Sequence, residues 1–191
     1  MNRETRARDG AMTTTGLLLA AGAGARMGTP KALVHDLDGT SWLRRAVQAL
    51  TRGGCEQVYV VLGAAAAEAQ PLLDGLSTEV VVATDWVEGM GASLRAGLAA
   101  VGGGGAVLVS LVDLPDVGPD VVARVMAAES GLARAAYEGR PGHPVLIGAG
   151  HREPLMATLH GDVGARSYLA AHDVTLVECG DLATGVDVDR R

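Results

Sequence analysis

Short apolar runs alternate with segments of helical spacing along almost the whole chain, and this alternation limits the fold more than any other feature. The runs at 16–20, 58–63, 79–83 and 106–112 are rich in Leu, Val and Ala, as buried strands are. Between and after them, 41–52, 64–74, 92–101 and 119–129 read as helices. In the first, Trp42, Leu43, Ala46, Val47 and Leu50 share one side, with Thr40 or Ser41 as the cap. The last has proline in its first turn. Further on, 133–137 and 144–147 flank the turn EGRPGH as a small β-ribbon, 153–160 and 164–171 look helical, and 174–178 is a final strand. Strands alternating with helices predict an α/β fold of three layers, with helices on both faces of a mainly parallel sheet. Ligands of such sheets sit outside the carboxyl ends of the strands. That places the loop after the first strand and Asp113, which ends the fourth run, on one rim.

The chain has 191 residues, enough for one domain with a sizeable core. Residues 1–15, MNRETRARDGAMTTT, are polar and basic and are expected to be a disordered leader, with Met12 an alternative start; 16–191 then forms the single domain. With 48% apolar and 20% charged residues the remainder is globular in composition. A net charge of −6 argues against a nucleic-acid binder, which needs a basic face. No apolar run reaches membrane-spanning length. Cys55 and Cys179 make neither a disulfide framework nor a zinc pattern, and a reducing cytoplasm is the expected setting.

The stretch LLLAAGAGARMGTPKAL, residues 17–33, passes from a strand into small residues and then carries Arg26 and Lys31. Glycines let backbone N–H groups approach phosphate oxygens, and the two cations add full charges. The spacing is not that of the familiar loops. Gly22, Gly24 and Gly28 give G-x-G-x-x-x-G rather than the dinucleotide G-x-G-x-x-G, and no acid closes the second strand, which ends Leu62-Gly63-Ala64. Lys31 follows Thr29-Pro30, so the Walker pattern fails as well.

L-A-A-G-x-G-x-R-M-G-x-P-K, from Leu19 to Lys31, resembles the signature of the MobA/MocA-like nucleotidyltransferases, closest to the molybdenum cofactor cytidylyltransferases. EGMGASLRAGL (88–98), LVDLPDV (111–117), GRPGHPVLIG (139–148), HGDVGAR (160–166) and DVD (187–189) are similar to the same family. The resemblance implies a Rossmann-like nucleotidyltransferase domain that joins an NTP, CTP before GTP, to a phosphorylated acceptor such as molybdopterin, with loss of pyrophosphate. It implies that Leu19, Ala20, Ala21, Gly22, Ala23 and Gly24 wrap the triphosphate, with Gly91 and Ser93 lining the nucleotide. Arg26 would hold the β- and γ-phosphates, and Lys31 would neutralise charge at the α-phosphate. Phosphoryl-type transfer needs this alignment and neutralisation more than covalent help. Asp113 would bind Mg2+, with Asp187 and Asp189, one residue apart on an extended tail, as its partners. Arg140, His143, Asp162 and Arg166 fall on the acceptor side. A molybdoenzyme or its insertion chaperone is the implied protein partner.

The sequence departs from the family where relatives carry N-P-x-W, here Ala83-Thr84-Asp85-Trp86, and Trp86 is expected to pack rather than stack. It departs again after Asp189, where relatives continue with T-P-E-D-L. Three rival readings remain open: a GTP-using guanylyltransferase, an NAD(P)H-dependent nicotine-blue-type oxidoreductase, and a non-catalytic cofactor chaperone.

Overall fold

The computed structural model describes residues 13–188. Residues 1–12 of the expected leader and Asp189 lie outside the described residues. The leader's last two residues belong to the domain instead. Strand β1 (Thr14–Ala20) begins at Thr14, which pairs with Ala106, while Thr15 pairs with Gln57 and Val107. Threonine is β-branched and suits a strand, so the ladder extends two residues earlier than apolarity alone suggests.

Six further strands follow: β2 (Gln57–Leu62), β3 (Glu79–Val82), β4 (Ala106–Leu111), β5 (Leu132–Tyr137), β6 (Arg140–Ile147) and β7 (Thr175–Glu178). They form one sheet in the order β3-β2-β1-β4-β6-β5-β7. Neighbours are parallel except where β6 runs antiparallel to both β4 and β5. The expected ribbon is the β5–β6 hairpin, and it is built into the sheet: Val107, Leu108 and Val109 pair with Ile147, Leu146 and Val145. The order turns around between β1 and β4, whose carboxyl ends lie side by side. This is the sheet position at which α/β proteins open a ligand crevice.

Helices α1 (Trp42–Arg52), α2 (Ala66–Ala69) and α4 (Pro119–Met126) cover one face; α3 (Met90–Ala100), α5 (Ala149–Met156) and α6 (Arg166–Ala170) cover the other. Alternation along β1 feeds both cores. Leu18 and Ala20 pack with Leu43, Val47 and Leu50 of α1 and Val121, Val122 and Val125 of α4. Leu17 and Leu19 pack with Leu94 and Leu98 of α3, Leu155 of α5 and Leu169 of α6. Each such side chain contributes about 1.5–3 kcal/mol by leaving water, so the Gly-rich loop is anchored at a strand sealed on both faces. Helix α1 starts as expected, with the Ser41 hydroxyl accepting from the Arg44 amide.

Three helices differ from expectation. Residues 64–74 form only the single turn of α2 and a 3-10 turn, Gln70–Leu73, because Pro71 has no N–H for the helical ladder. The helix expected at 153–160 lies at Ala149–Met156, since the chain beyond it turns to form the His160–Val163 bridge. The helix expected at 164–171 shortens to Arg166–Ala170. Among the described residues no helix is long and apolar enough to cross a membrane.

Candidate functional site

Beyond Ala20 the chain leaves the sheet as a loop from Ala21 to Pro30, mostly exposed, and returns through a 3-10 turn, Lys31–Leu33. Gly24 shapes that loop. Its φ is +65°, and its carbonyl accepts from the amides of Met27 and Gly28, each at 2.9 Å. A Cβ there would lie 1.8 Å from the Thr29 carbonyl oxygen, so only glycine closes the turn. Lys31 is thereby brought back over the end of β4. Its Nζ lies 2.5 Å from Asp113 Oδ2, and the side chains are 19% and 12% exposed. Asp113 is thus a largely buried carboxylate answered by a cation, as burial of such a charge requires.

Two backbone bonds fix Asp113 from either side. Its neighbour Val112 donates to the Leu19 carbonyl, closing β4 onto β1. The Asp113 carbonyl accepts from the Val188 amide at 3.0 Å, which brings the C-terminal tail alongside. The tail is clasped further back, where the Thr184 amide and hydroxyl both donate to one carboxylate oxygen of Asp116, at 2.6 and 2.5 Å.

The facing wall is the 3-10 turn Trp86–Glu88, the start of α3 and the 160–163 turn. Gly91 donates to the Gly161 carbonyl at 2.8 Å, and a Cβ on Gly91 would lie 2.3 Å from the Val163 carbonyl oxygen. This close backbone contact brings Asp162 beside Gly89, at the mouth of the site. Between the walls is a cleft of about 490 Å³.

Leu19, Ala20, Ala21, Gly22, Ala23, Gly24, Arg26 and Lys31 line this cleft, and so do Ser93, Asp113 and Asp162. Gly91 does not; its missing side chain serves the packing of α3 against the 160–163 turn. Arg140, His143 and Arg166 are not among the lining residues either. Asp187 is exposed and away from the lining, because its neighbour Val188 is the residue that packs onto the core. With Asp189 outside the described residues, the three-carboxylate set does not come together among those described, and no other group of three His, Cys, Asp or Glu there could hold a metal. Trp86 packs against the second core and also lines the cleft. Val87 and Met90, half to largely exposed, complete an apolar lip that sequence reasoning missed. Their only signal was apolarity in a loop flanked by glycine.

Beyond the cleft, burial and then the nearby Arg134 charge push the His143 imidazole down to about 4, so it is neutral at physiological pH. The Arg134 guanidinium is itself lowered by burial and by the charge of Arg166.

A parallel-led α/β sheet whose turning point carries a glycine-shaped loop, two cations and a buried aspartate is a nucleotidyltransferase-type fold. Residues 16–176 match the family described as the MobA-like NTP transferase domain, and the chain belongs to that family. Over 187 aligned residues it is 39% identical to a protein named nicotine blue oxidoreductase from Paenarthrobacter nicotinovorans, covering 92% of this chain and 91% of that one. The homologue of Rv0371c from Mycobacterium sp. strain JC1 has a TM-score of 0.78 at 30% identity, covering 93% of this chain and 90% of its own. Rv0371c from Mycobacterium tuberculosis H37Rv, solved as a complex with manganese, has a TM-score of 0.76 at 27% identity, covering 92% and 94%.

Proposed function

We propose that this protein is a magnesium-dependent nucleotidyltransferase that joins an NTP, CTP ahead of GTP, to a phosphorylated acceptor of the molybdopterin type. The Lys31–Asp113 pair on the floor of the glycine-loop cleft carries the proposal. An acceptor phosphate oxygen attacks the α-phosphorus, the bond to the β-bridging oxygen breaks, and pyrophosphate leaves. Two anions must approach each other, so the chain's own task is neutralisation and alignment. Lys31, which lines the cleft with Arg26, would meet charge at the α-phosphate, and Arg26 and the loop amides would meet the leaving pyrophosphate. Ser93, buried near the start of α3, offers a hydroxyl to the nucleotide from the opposite wall.

The donor set suits a magnesium ion that arrives with the triphosphate, since magnesium takes one or two carboxylates and completes its shell with phosphate oxygens and water. Asp113 would hold it, with Asp187 and Asp189 as the other proposed carboxylates. When bound, the ion would neutralise phosphate charge. Manganese in the complex of Rv0371c supports a divalent cation.

Pyrophosphate release from CTP or GTP in the presence of magnesium and molybdopterin tests the reaction. Lys31→Ala should lower turnover about a hundredfold or more while leaving nucleotide affinity within a few-fold, because its charge matters most in the transition state. Unchanged turnover would remove Lys31 from the chemistry.

The relative from Paenarthrobacter nicotinovorans favours a second reading, an oxidoreductase acting on a nicotine-blue-type pigment with NAD(P)H. Against it stand the missing dinucleotide fingerprint and the absence of an acid at Leu62-Gly63-Ala64. NADPH oxidation coupled to two-electron reduction of nicotine blue by the pure protein, without any NTP binding, would establish it.

A further inference from the structure

Arg95, in the motif EGMGASLRAGL, takes no part in the proposed reaction, yet it reaches both turns of the wall that faces the glycine loop. It lies on α3, two residues after cleft-lining Ser93, and is not itself among the lining residues. Its Nη2 donates to Asp85 Oδ2 at 2.8 Å and lies 3.9 Å from Glu88 Oε2. Its Nη1 donates to the Leu159 carbonyl at 3.1 Å. Asp85 opens the 3-10 turn Trp86–Glu88, and Glu88 ends it. Leu159 stands directly before the 160–163 turn. One guanidinium thus ties both turns to α3. Trp86 and Val87 from the first turn and Asp162 from the second line the cleft.

Arginine suits this place. Its planar fork meets a carboxylate and a carbonyl at once, whereas a lysine ammonium is a single charge on a flexible stem. The side chains of Arg95 and Asp85 are 37% and 33% exposed. An ion pair this open to water adds little to stability, so what the contact supplies is position. The opposite wall has its own support. The glycine loop hangs from β1 and Asp113 from β4, joined by the bond from the Val112 amide to the Leu19 carbonyl. In the facing wall the bond from Gly91 to Gly161 joins α3 to the 160–163 turn, and Arg95 adds the 85–88 turn to that joint.

We propose that Arg95 is a positioning residue of this site: it fixes the 85–88 and 160–163 turns on α3, so that Trp86, Ser93 and Asp162 are in place across from Lys31 and Asp113 before substrate arrives. The inference rests on the nucleotidyl-transfer reading and adds to it a residue that touches neither the triphosphate nor the acceptor. The triphosphate is gripped from the glycine-loop side. Loss of Arg95 therefore slows turnover more than it weakens nucleotide binding, because alignment of reacting groups is sensitive to small shifts of a wall.

Pyrophosphate release from CTP or GTP with magnesium and molybdopterin is measured for Arg95→Ala, Arg95→Lys, Asp85→Ala, the Arg95→Ala/Asp85→Ala double variant and Arg152→Ala. Calorimetric triphosphate affinity and amide hydrogen exchange are read on the same samples. Arg152 is the control for a merely structural part. From α5 it donates to the Leu98, Val101 and Gly103 carbonyls, so its loss loosens α3 at the end away from the cleft. Arg95→Ala should lower kcat about tenfold or more and change triphosphate affinity by less than about threefold. Exchange at the Gly91 amide should quicken about tenfold or more, with the Val112 amide unchanged. Arg95→Lys should recover part of the turnover, since it keeps a charge beside Asp85 but not the second bond. Asp85→Ala should act in the same direction, and the double variant should be no slower than Arg95→Ala, because both changes break one contact. Arg152→Ala should keep kcat within about twofold. Equal loss of kcat in Arg95→Ala and Arg152→Ala, or wild-type kcat and Gly91 exchange in Arg95→Ala, would overturn the assignment. Asp85→Ala keeps the test open should Arg95→Ala fail to fold. No pyrophosphate release from the wild-type chain would strike the nucleotidyl-transfer reading instead, and Gly91 exchange in Arg95→Ala would still decide whether Arg95 fixes the wall.

Discussion

Replacing Gly24 by alanine should separate binding from folding. The new Cβ would lie 1.8 Å from the Thr29 carbonyl oxygen and 2.5 Å from its carbon. Carbon–oxygen contacts normally begin near ~3.3 Å, so the overlap is far beyond what bond angles absorb. A left-handed φ of +65° adds about 1–2 kcal/mol for an L-residue. Opening the loop instead loses the bonds from Met27 and Gly28 to Gly24, each worth about 0.5–1.5 kcal/mol net. That cost is smaller because the loop is mostly exposed and water replaces both bonds. The variant should therefore fold with its two cores intact and melt within a few degrees of wild type. Triphosphate affinity should fall about a hundredfold, near 3 kcal/mol, as the amides lose their arrangement. Gly28→Ala is the matched control: φ is +71°, yet nothing lies within 4 Å of its Cβ, so only the backbone penalty applies. Gly22→Ala also meets nothing within 4 Å, so a loss of affinity there would report close phosphate approach alone. Calorimetric titration with magnesium and CTP or GTP, beside urea denaturation, reads both quantities. Wild-type affinity in Gly24→Ala would refute the link between loop shape and binding.

Other expectations follow from the same geometry. Thr184→Val removes the hydroxyl bond to Asp116 but keeps the amide bond; it should cost no more than about 1 kcal/mol at this exposed site while speeding hydrogen exchange at the Val188 amide. His143, held down to about 4 chiefly by burial, stays neutral in the folded chain while the unfolded chain binds a proton below about pH 6.5. Stability should then fall by roughly 1 kcal/mol per pH unit between 6.5 and 4, and His143→Gln should flatten that slope in urea titrations. Burial pushes the Cys55 thiol up to about 12 and raises Cys179 too, so neither should react with a thiol reagent at pH 8 until urea is added.

At the strand ends, the sequence was a good guide. Lys31 and Asp113 are 82 residues apart, yet both follow strands that flank the turning point of the sheet, and chain order alone implied a shared rim, though not the ion pair between them. Small residues were harder to interpret. Gly22, Gly24 and Gly91 look alike in sequence, but one is open, one shapes a turn, and one lies under a neighbouring backbone. A glycine signals close approach without saying what approaches. The Thr184–Asp116 clasp spans 68 residues and joins two exposed polar side chains, a contact that no periodicity encodes. The helix shift at 153–160 came from treating apolar spacing as sufficient when the following turn decides where the helix must stop.

Ligand-induced thermal stabilisation of the wild-type chain tests the central claim most directly. Melting curves are recorded with CTP, GTP, ATP, UTP and NADPH, each with and without magnesium. A ligand that binds only the folded chain raises the melting temperature by mass action. A magnesium-dependent rise with CTP above GTP, and none with NADPH, is the expected result for a triphosphate cradle feeding nucleotidyl transfer. A rise with NADPH and none with any NTP would contradict it.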